Sequence, residues 1–165
     1  MMSAHLSQAI ASLFAGYELA VWPCENAVGT AFEREVVASI GFTGKQFRGA
    51  LMLRAADTSI DRWLESMGMP GGDLSDTLSE FSNMLLGRIK GQMLRDGMPI
   101  ALATPTATSG TGLRFSMPPA ESVCLSFDGG DWGITARLDA SFESDFEIGP
   151  PAAEEAAEAG DCLLF

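Results

Sequence analysis

Histidine is nearly missing from this chain of 165 residues: His5, close to the start, stands alone. A histidine-based metal centre is therefore disfavoured, and a Ser-His-Asp or Cys-His arrangement would depend on one residue in a helix-like segment. Cysteine is scarce too. Cys24, Cys124 and Cys162 lie far apart, and no pair has zinc-site or redox spacing. An odd cysteine count with no signal-peptide pattern fits a reducing, cytoplasmic setting. Basic residues are outnumbered, with ten Lys and Arg against 22 Asp and Glu and a net charge of −12. Binding to a phosphate backbone needs cations, so nucleic acid and anionic membrane surfaces are disfavoured as partners. Phosphate loops of the form GxxxxGK[ST] or GxGxxG do not occur. No apolar run reaches the ~20 residues of a membrane span, since Ser7, Gln8, Ser12 and Glu18 interrupt the first one. Cys162-Leu163-Leu164-Phe165 matches a prenylation box only in outline, without a polybasic stretch beside it.

What is present is the composition of a globular domain, 47% hydrophobic and 19% charged. A chain of this size buries about 70% of its unfolded surface, so it can fold without metal or disulfides. Leu6, Ile10, Leu13 and Phe14 recur at helical spacing before Gly16. Glu18–Trp22 reads as a short strand closed by Pro23, with a connection from Cys24 to Phe32. Glu35–Phe42 and Phe47–Ala55 read as paired strands, with Gly41-Phe42-Thr43-Gly44-Lys45 as their turn. Asp57-Thr58-Ser59 caps a helix through Trp63, Leu64 and Met67, which Gly68 and Pro70 end. A long helix from about Asp73 to Arg95 follows, capped by Asp73 or Ser75 and ended by Gly97 and Pro99.

Ile100–Thr108 reads as a strand broken at Pro105, Leu113–Met117 as a further short strand, and Ser122–Phe127 and Trp132–Ala140 as a hairpin around Asp128-Gly129-Gly130-Asp131. Helices grouped between antiparallel hairpins predict an α+β fold, one mainly antiparallel sheet with helices packed on one face. The domain is expected to span residues 1–148. Residues 149–165, rich in Ala and Glu and free of aromatics until Phe165, read as a disordered acidic tail.

The long helix holds the candidate site. At roughly 100° per residue, Leu74, Leu78, Phe81, Leu85 and Ile89 fall on one side, which must be buried. Asp76, Glu80, Asn83 and Gly87 gather on the other side, where Lys, Gln or Ala is usual. A carboxylate can anchor a cation, and an amide can hold a water by donating and accepting at once. Neither generates a strong nucleophile alone. On the residues alone, the strip also reads as an ordinary solvated helix face, the commoner meaning of such a pattern.

Asp76-x3-Glu80-x2-Asn83-x3-Gly87 resembles the signature of the chemotaxis phosphatases CheC, CheX and FliY. The element order over residues 3–142 resembles that of CheX. CheC-type members commonly carry two such motifs. Here the only other asparagine, Asn26, has Pro23 where its glutamate would stand. The resemblance is thus to a single-motif, CheX-like member. It implies a phosphatase of two-component signalling that acts on the aspartyl phosphate of a CheY-like receiver domain. Glu80 would pair with the receiver's lysine and Asn83 would orient the attacking water, with Asp76 and Gly87 in support. The implied Mg²⁺ belongs to the receiver, no metal is implied on this chain, and a homodimer is implied. A non-catalytic CheX-like module that docks on a receiver or a flagellar component is the alternative.

Overall fold

The computed structural model describes residues 2–15, 22–24, 34–66, 68, 71–114, 121–128, 133–146 and 148. The first helix, α1 (Met2–Ala15), precedes a short strand β1 (Trp22–Cys24) and the hairpin β2 (Glu35–Thr43) and β3 (Phe47–Ala56). Helices α2 (Asp57–Ser66) and α3 (Leu74–Arg95) follow. The chain closes with β4 (Ala101–Leu102), β5 (Thr106–Gly110), β6 (Glu121–Asp128) and β7 (Gly133–Phe142). All seven strands join one sheet in the order β1-β6-β7-β3-β2-β4, with β5 also on β2, and each pairing is antiparallel.

Side-chain alternation sorts the two sides of this sheet. Val36, Ala38, Ile40 and Phe42 of β2, Leu51, Leu53 and Ala55 of β3, and Ile134, Ala136, Leu138 and Ala140 of β7 are buried together. They share one core with Leu6 and Ile10 of α1, Ile60, Trp63 and Leu64 of α2, and Leu78, Phe81, Leu85 and Ile89 of α3. The registers Ile40↔Leu51 and Leu51↔Leu138 keep that apolar row continuous across three strands. The three helices therefore share one side, as the α+β reading expected. α3 lies across β2 and reaches β3 and β5, with α1 and α2 against its flanks.

Several boundaries differ from the sequence reading. β1 contains Pro23 instead of ending before it, and Cys24 belongs to the strand and not to a connection. β1 is the outermost strand on β6, and an edge accommodates a residue that has no N–H to donate. β2 continues through Thr43, so the hairpin turn is at 44–46, where the Gly44 N–H donates to the Phe47 carbonyl at 2.8 Å. Leu113 and Arg114 form no strand. The Leu113 N–H is instead held by the Glu35 Oε1 at 3.0 Å, just past the turn at Gly112. The break at Pro105 stands, between β4 and β5. Residues 115–117, the turn at 129–131, Asn26 and the acidic tail lie outside the described residues.

Glu35 is fully buried at the start of β2 and is ion-paired with Arg54 of β3, whose side chain is one-third exposed. It therefore ties both the neighbouring strand and the segment after β5. Glu35→Ala removes one partner of Arg54 and the acceptor of the Leu113 N–H together. Breaking a buried pair costs about 3–5 kcal/mol, and partial solvation of Arg54 lowers the expected loss to roughly 2–3 kcal/mol. Urea unfolding of wild type, Glu35→Gln and Glu35→Ala should rank stability in that order. Equal midpoints would show that the pair contributes nothing.

Candidate active site

The order of α3 starts with its ends. Asp73 adopts an extended backbone, φ −69° and ψ 119°, and its side chain accepts the Asp76 N–H at 2.9 Å. Its carbonyl accepts the Thr77 hydroxyl at 2.7 Å. Asp73, and not Ser75, is thus the cap. At the other end Gly97 takes φ 76°, and its N–H reaches the Leu94 carbonyl at 3.1 Å. The Met98 N–H reaches the Met93 carbonyl at 2.8 Å. That pair of bonds closes the helix as a Schellman motif, for which glycine is the favoured residue.

The buried arc of α3 is wider than five apolar positions. Ser82, Leu86, Gln92 and Met93 are buried beside Leu78, Phe81, Leu85 and Ile89, whereas Leu74 is only half-buried. α3 packs against α1 and α2 as well as the sheet. Ser82 tolerates burial because its hydroxyl donates to the Ser79 carbonyl at 2.7 Å. The Trp63 ring of α2 stands edge-on to Phe81, with centroids 3.9 Å apart. This buttress lies directly behind the residue that follows Glu80 in the chain.

What remains open to solvent is a narrow strip. Asp76, Glu80, Asn83 and Gly87 are all exposed, so the four sequence candidates share one outward face. Glu80 and Asn83, three residues apart, have their Cβ atoms about 5–6 Å from one another on such a surface. Among the described residues, neither side chain takes a hydrogen bond or ion pair from its own chain. Asp76 sits in the first turn, where its charge complements the helix N-terminus. A Cβ placed on Gly87 would meet nothing within 4 Å, so the fold makes no demand for glycine there. The residue missed in sequence is Lys90, exposed one turn beyond Gly87 on the same strip. Extending the same 3-4 spacing by one turn would have found it.

Competing sites are weak. Cys124 is exposed on β6, but burial of its thiol raises its pKa. Asp139 adds to that rise and Arg137 offsets part of it, leaving a protonated thiol and a poor nucleophile at neutral pH. Among the described residues no three His, Cys, Asp or Glu side chains are placed to hold a metal ion. Asp57 is engaged by Arg34 at 2.9 Å, and Asp61 and Glu65 face solvent on α2. A cavity of about 430 Å³ is lined by small residues including Gly41, Ala50, Ala101 and Ala103. It lies across the sheet from α3. No helix among the described residues is long and apolar enough to cross a membrane.

An antiparallel α+β domain that shows a free carboxylate and amide on the outer face of its central helix defines a narrow class. A reaction at such a face would need a partner's site, because a convex helix surface has no pocket of its own. Residues 36–128 match the model of the family "Chemotaxis phosphatase CheX". The chain belongs to the CheX family. Solved structures agree on the fold. CheX from Vibrio vulnificus superimposes with a TM-score of 0.69 at 20% identity, over 83% of this chain and 93% of its own. CheX from Desulfovibrio desulfuricans gives 0.69 at 18%, over 84% and 98%. CheX in a CheX–CheY–BeF3–Mg complex from Borrelia burgdorferi gives 0.65 at 13%, over 83% and 96%. No curated protein matches the chain.

Proposed function

We propose that this chain is an aspartyl-phosphate phosphatase of a CheY-like receiver domain. The observation that carries the reading is the pair Glu80 and Asn83, exposed, one turn apart and unengaged on a helix fixed at both ends. Membership of a chemotaxis phosphatase family and the capture of the Borrelia relative with CheY support it.

Glu80 pairs with the receiver's active-site lysine and sets the register of the complex. Asn83 accepts a hydrogen bond from a water and holds its lone pair in line with phosphorus. Water attacks, the bond between phosphorus and the aspartyl oxygen breaks, and free carboxylate and inorganic phosphate leave. Positioning and electrostatic stabilisation are the main requirements of such a transfer. The receiver's own carboxylates would hold Mg²⁺, which would offset the phosphoryl charge there, and this chain contributes no metal ligand. Asp76 adds negative potential at the Glu80 end of the strip.

Gly87 gives the receiver backbone room to approach. Gly87→Ala should stabilise the isolated chain by about 0.5–1 kcal/mol, because alanine is the better helix former and its methyl meets no neighbour. The same substitution should lower kcat/KM several-fold. Melting temperature and turnover moving in opposite directions is the expected result, and unchanged turnover would show that the glycine has no docking role.

The direct test incubates the chain with phosphorylated receiver domains from its host and follows phosphate release. Accelerated loss of phosphate from at least one receiver supports the enzyme. Tight stoichiometric binding with no acceleration would favour a non-catalytic docking module, a reading encouraged by identities of only 13–20% to the solved relatives. A cytoplasmic homodimer completes the proposal. β5 pairs only with β2 among the described strands, and its remaining edge is suited to a second copy.

A further inference from the structure

The charges along the strip are segregated. Asp73, Asp76 and Glu80 occupy its N-terminal half, and Lys90 is its only cation. At about 100° per residue, all the exposed positions from Asp73 to Lys90 fall within a sector of about 100°, so Lys90 faces the same way as Glu80 and Asn83. The distance along the axis from Glu80 to Lys90 is about 15 Å at ~1.5 Å per residue.

Ordinary explanations for this lysine are thin. The helix dipole favours cations within the last turn, where Arg95 stands. Lys90 is more than a turn short of that end. An intrahelical ion pair would need an acid three or four residues away, but those positions are Leu86, Gly87, Met93 and Leu94. Among the described residues Lys90 has no ion pair. Helical side chains lean toward the N-terminus, which for Lys90 is the direction of Gly87 and Asn83.

We infer that Lys90 is a specificity-determining docking residue, pairing with a carboxylate on the receiver and fixing the direction in which the receiver lies along α3. The inference rests on the phosphatase reading and deepens it. A phosphorylated receiver site is rich in carboxylate and phosphoryl charge, and a chain of net charge −12 is repelled by it. Glu80 alone on a receiver lysine permits rotation about one contact. A second pair of opposite sign about two to three turns away removes that freedom, and a receiver docked in reverse would meet like charges at both places.

The test is steady-state turnover of the full chain with a phosphorylated receiver, across a range of ionic strength. Lys90→Glu should lower kcat/KM by at least about tenfold at low salt and leave kcat within about threefold, because docking and not chemistry is lost. Lys90→Arg should restore most of the loss, and the deficit of Lys90→Glu should shrink as salt screens the repulsion it introduces. Arg48→Glu, an equal change of net charge on the face of the sheet opposite α3, should alter kcat/KM less than twofold. Equal losses from the Lys90 and Arg48 reversals would reduce the effect to net charge and overturn the inference. So would a Lys90→Glu enzyme with unchanged kcat/KM, while wild-type turnover that still depends on Asn83 left the phosphatase reading intact. Failure of the wild-type chain both to bind and to dephosphorylate any host receiver overturns the two together.

Discussion

Asn83→Ala is expected to cut the rate of phosphate release by about 100-fold or more while the chain still binds the receiver within about threefold of wild type. The split follows from the two jobs the strip divides. On the proposed mechanism Glu80 makes the contact that exists in the ground-state complex, whereas the Asn83 amide acts on a water whose position matters only as phosphorus is attacked. An interaction made only in the transition state lowers kcat without touching affinity when it is removed. Asn83 is exposed and makes no hydrogen bond within the described chain, so alanine has nothing to disrupt in the fold. Its melting temperature should stay within about 2 °C, as surface changes of this kind rarely exceed half a kcal/mol. Glu80→Ala should show the opposite split, with a raised KM as the main loss. Titration with a beryllofluoride-loaded receiver, whose group stands in for the phosphoryl, reads binding apart from turnover. Wild-type rates in Asn83→Ala would remove the water-orienting role outright.

Trp63→Ala is expected to produce the largest stability loss, about 3–5 kcal/mol, from a single large-to-small change in the core. Trp63 is fully buried between α2 and α3, in edge contact with Phe81. Truncation removes the ring's burial and leaves a cavity that two helices, each held by its own sheet contacts, are poorly able to close. For a domain of this size that corresponds to a fall of roughly 6–20 °C in melting temperature. Trp63→Phe retains an aromatic edge against Phe81 and should lose about half as much. Below its transition, Trp63→Ala should bind the receiver more weakly, because Phe81 anchors the turn that presents Glu80 and Asn83. A melting point unchanged by Trp63→Ala would mean that α2 contributes little to holding α3.

The two expectations separate what the helix displays from what holds it, and sequence recorded these unequally. The 3.6-residue period of Leu78, Phe81, Leu85 and Ile89 determined that α3 is a helix and which side faces inward. Capping residues at Asp73 and Gly97 were legible because their chemistry is local. The strip was legible for the same reason, since three- and four-residue spacing on a helix needs no tertiary information. Lys90 continued that spacing and was passed over because the motif stopped at Gly87.

Elsewhere the local signal was insufficient. Pro23 argues against a strand wherever the ladder continues on both sides, and only the position of β1 at the sheet's edge makes it acceptable. Leu113 looked like the start of a strand because its apolar neighbours alternate. Its N–H is held by Glu35, 78 residues earlier, a partner that pattern does not reveal.

By itself the sequence determined the helix, its ends, its buried side and the order of residues in the strip, all set by backbone geometry over one or two turns. Composition determined that histidine chemistry and phosphate-backbone binding were poor expectations. Tertiary structure decided that β6 and β7 insert beside β3, so that the sheet supports α3 from β2 outward. It also decided how narrow the exposed strip is, because Ser82, Leu86 and Met93 are buried along with the predicted side where other elements pack against α3. The physical reason is range. Periodicity and capping are energies between near neighbours, whereas which faces of a helix remain open depends on every element that packs against it.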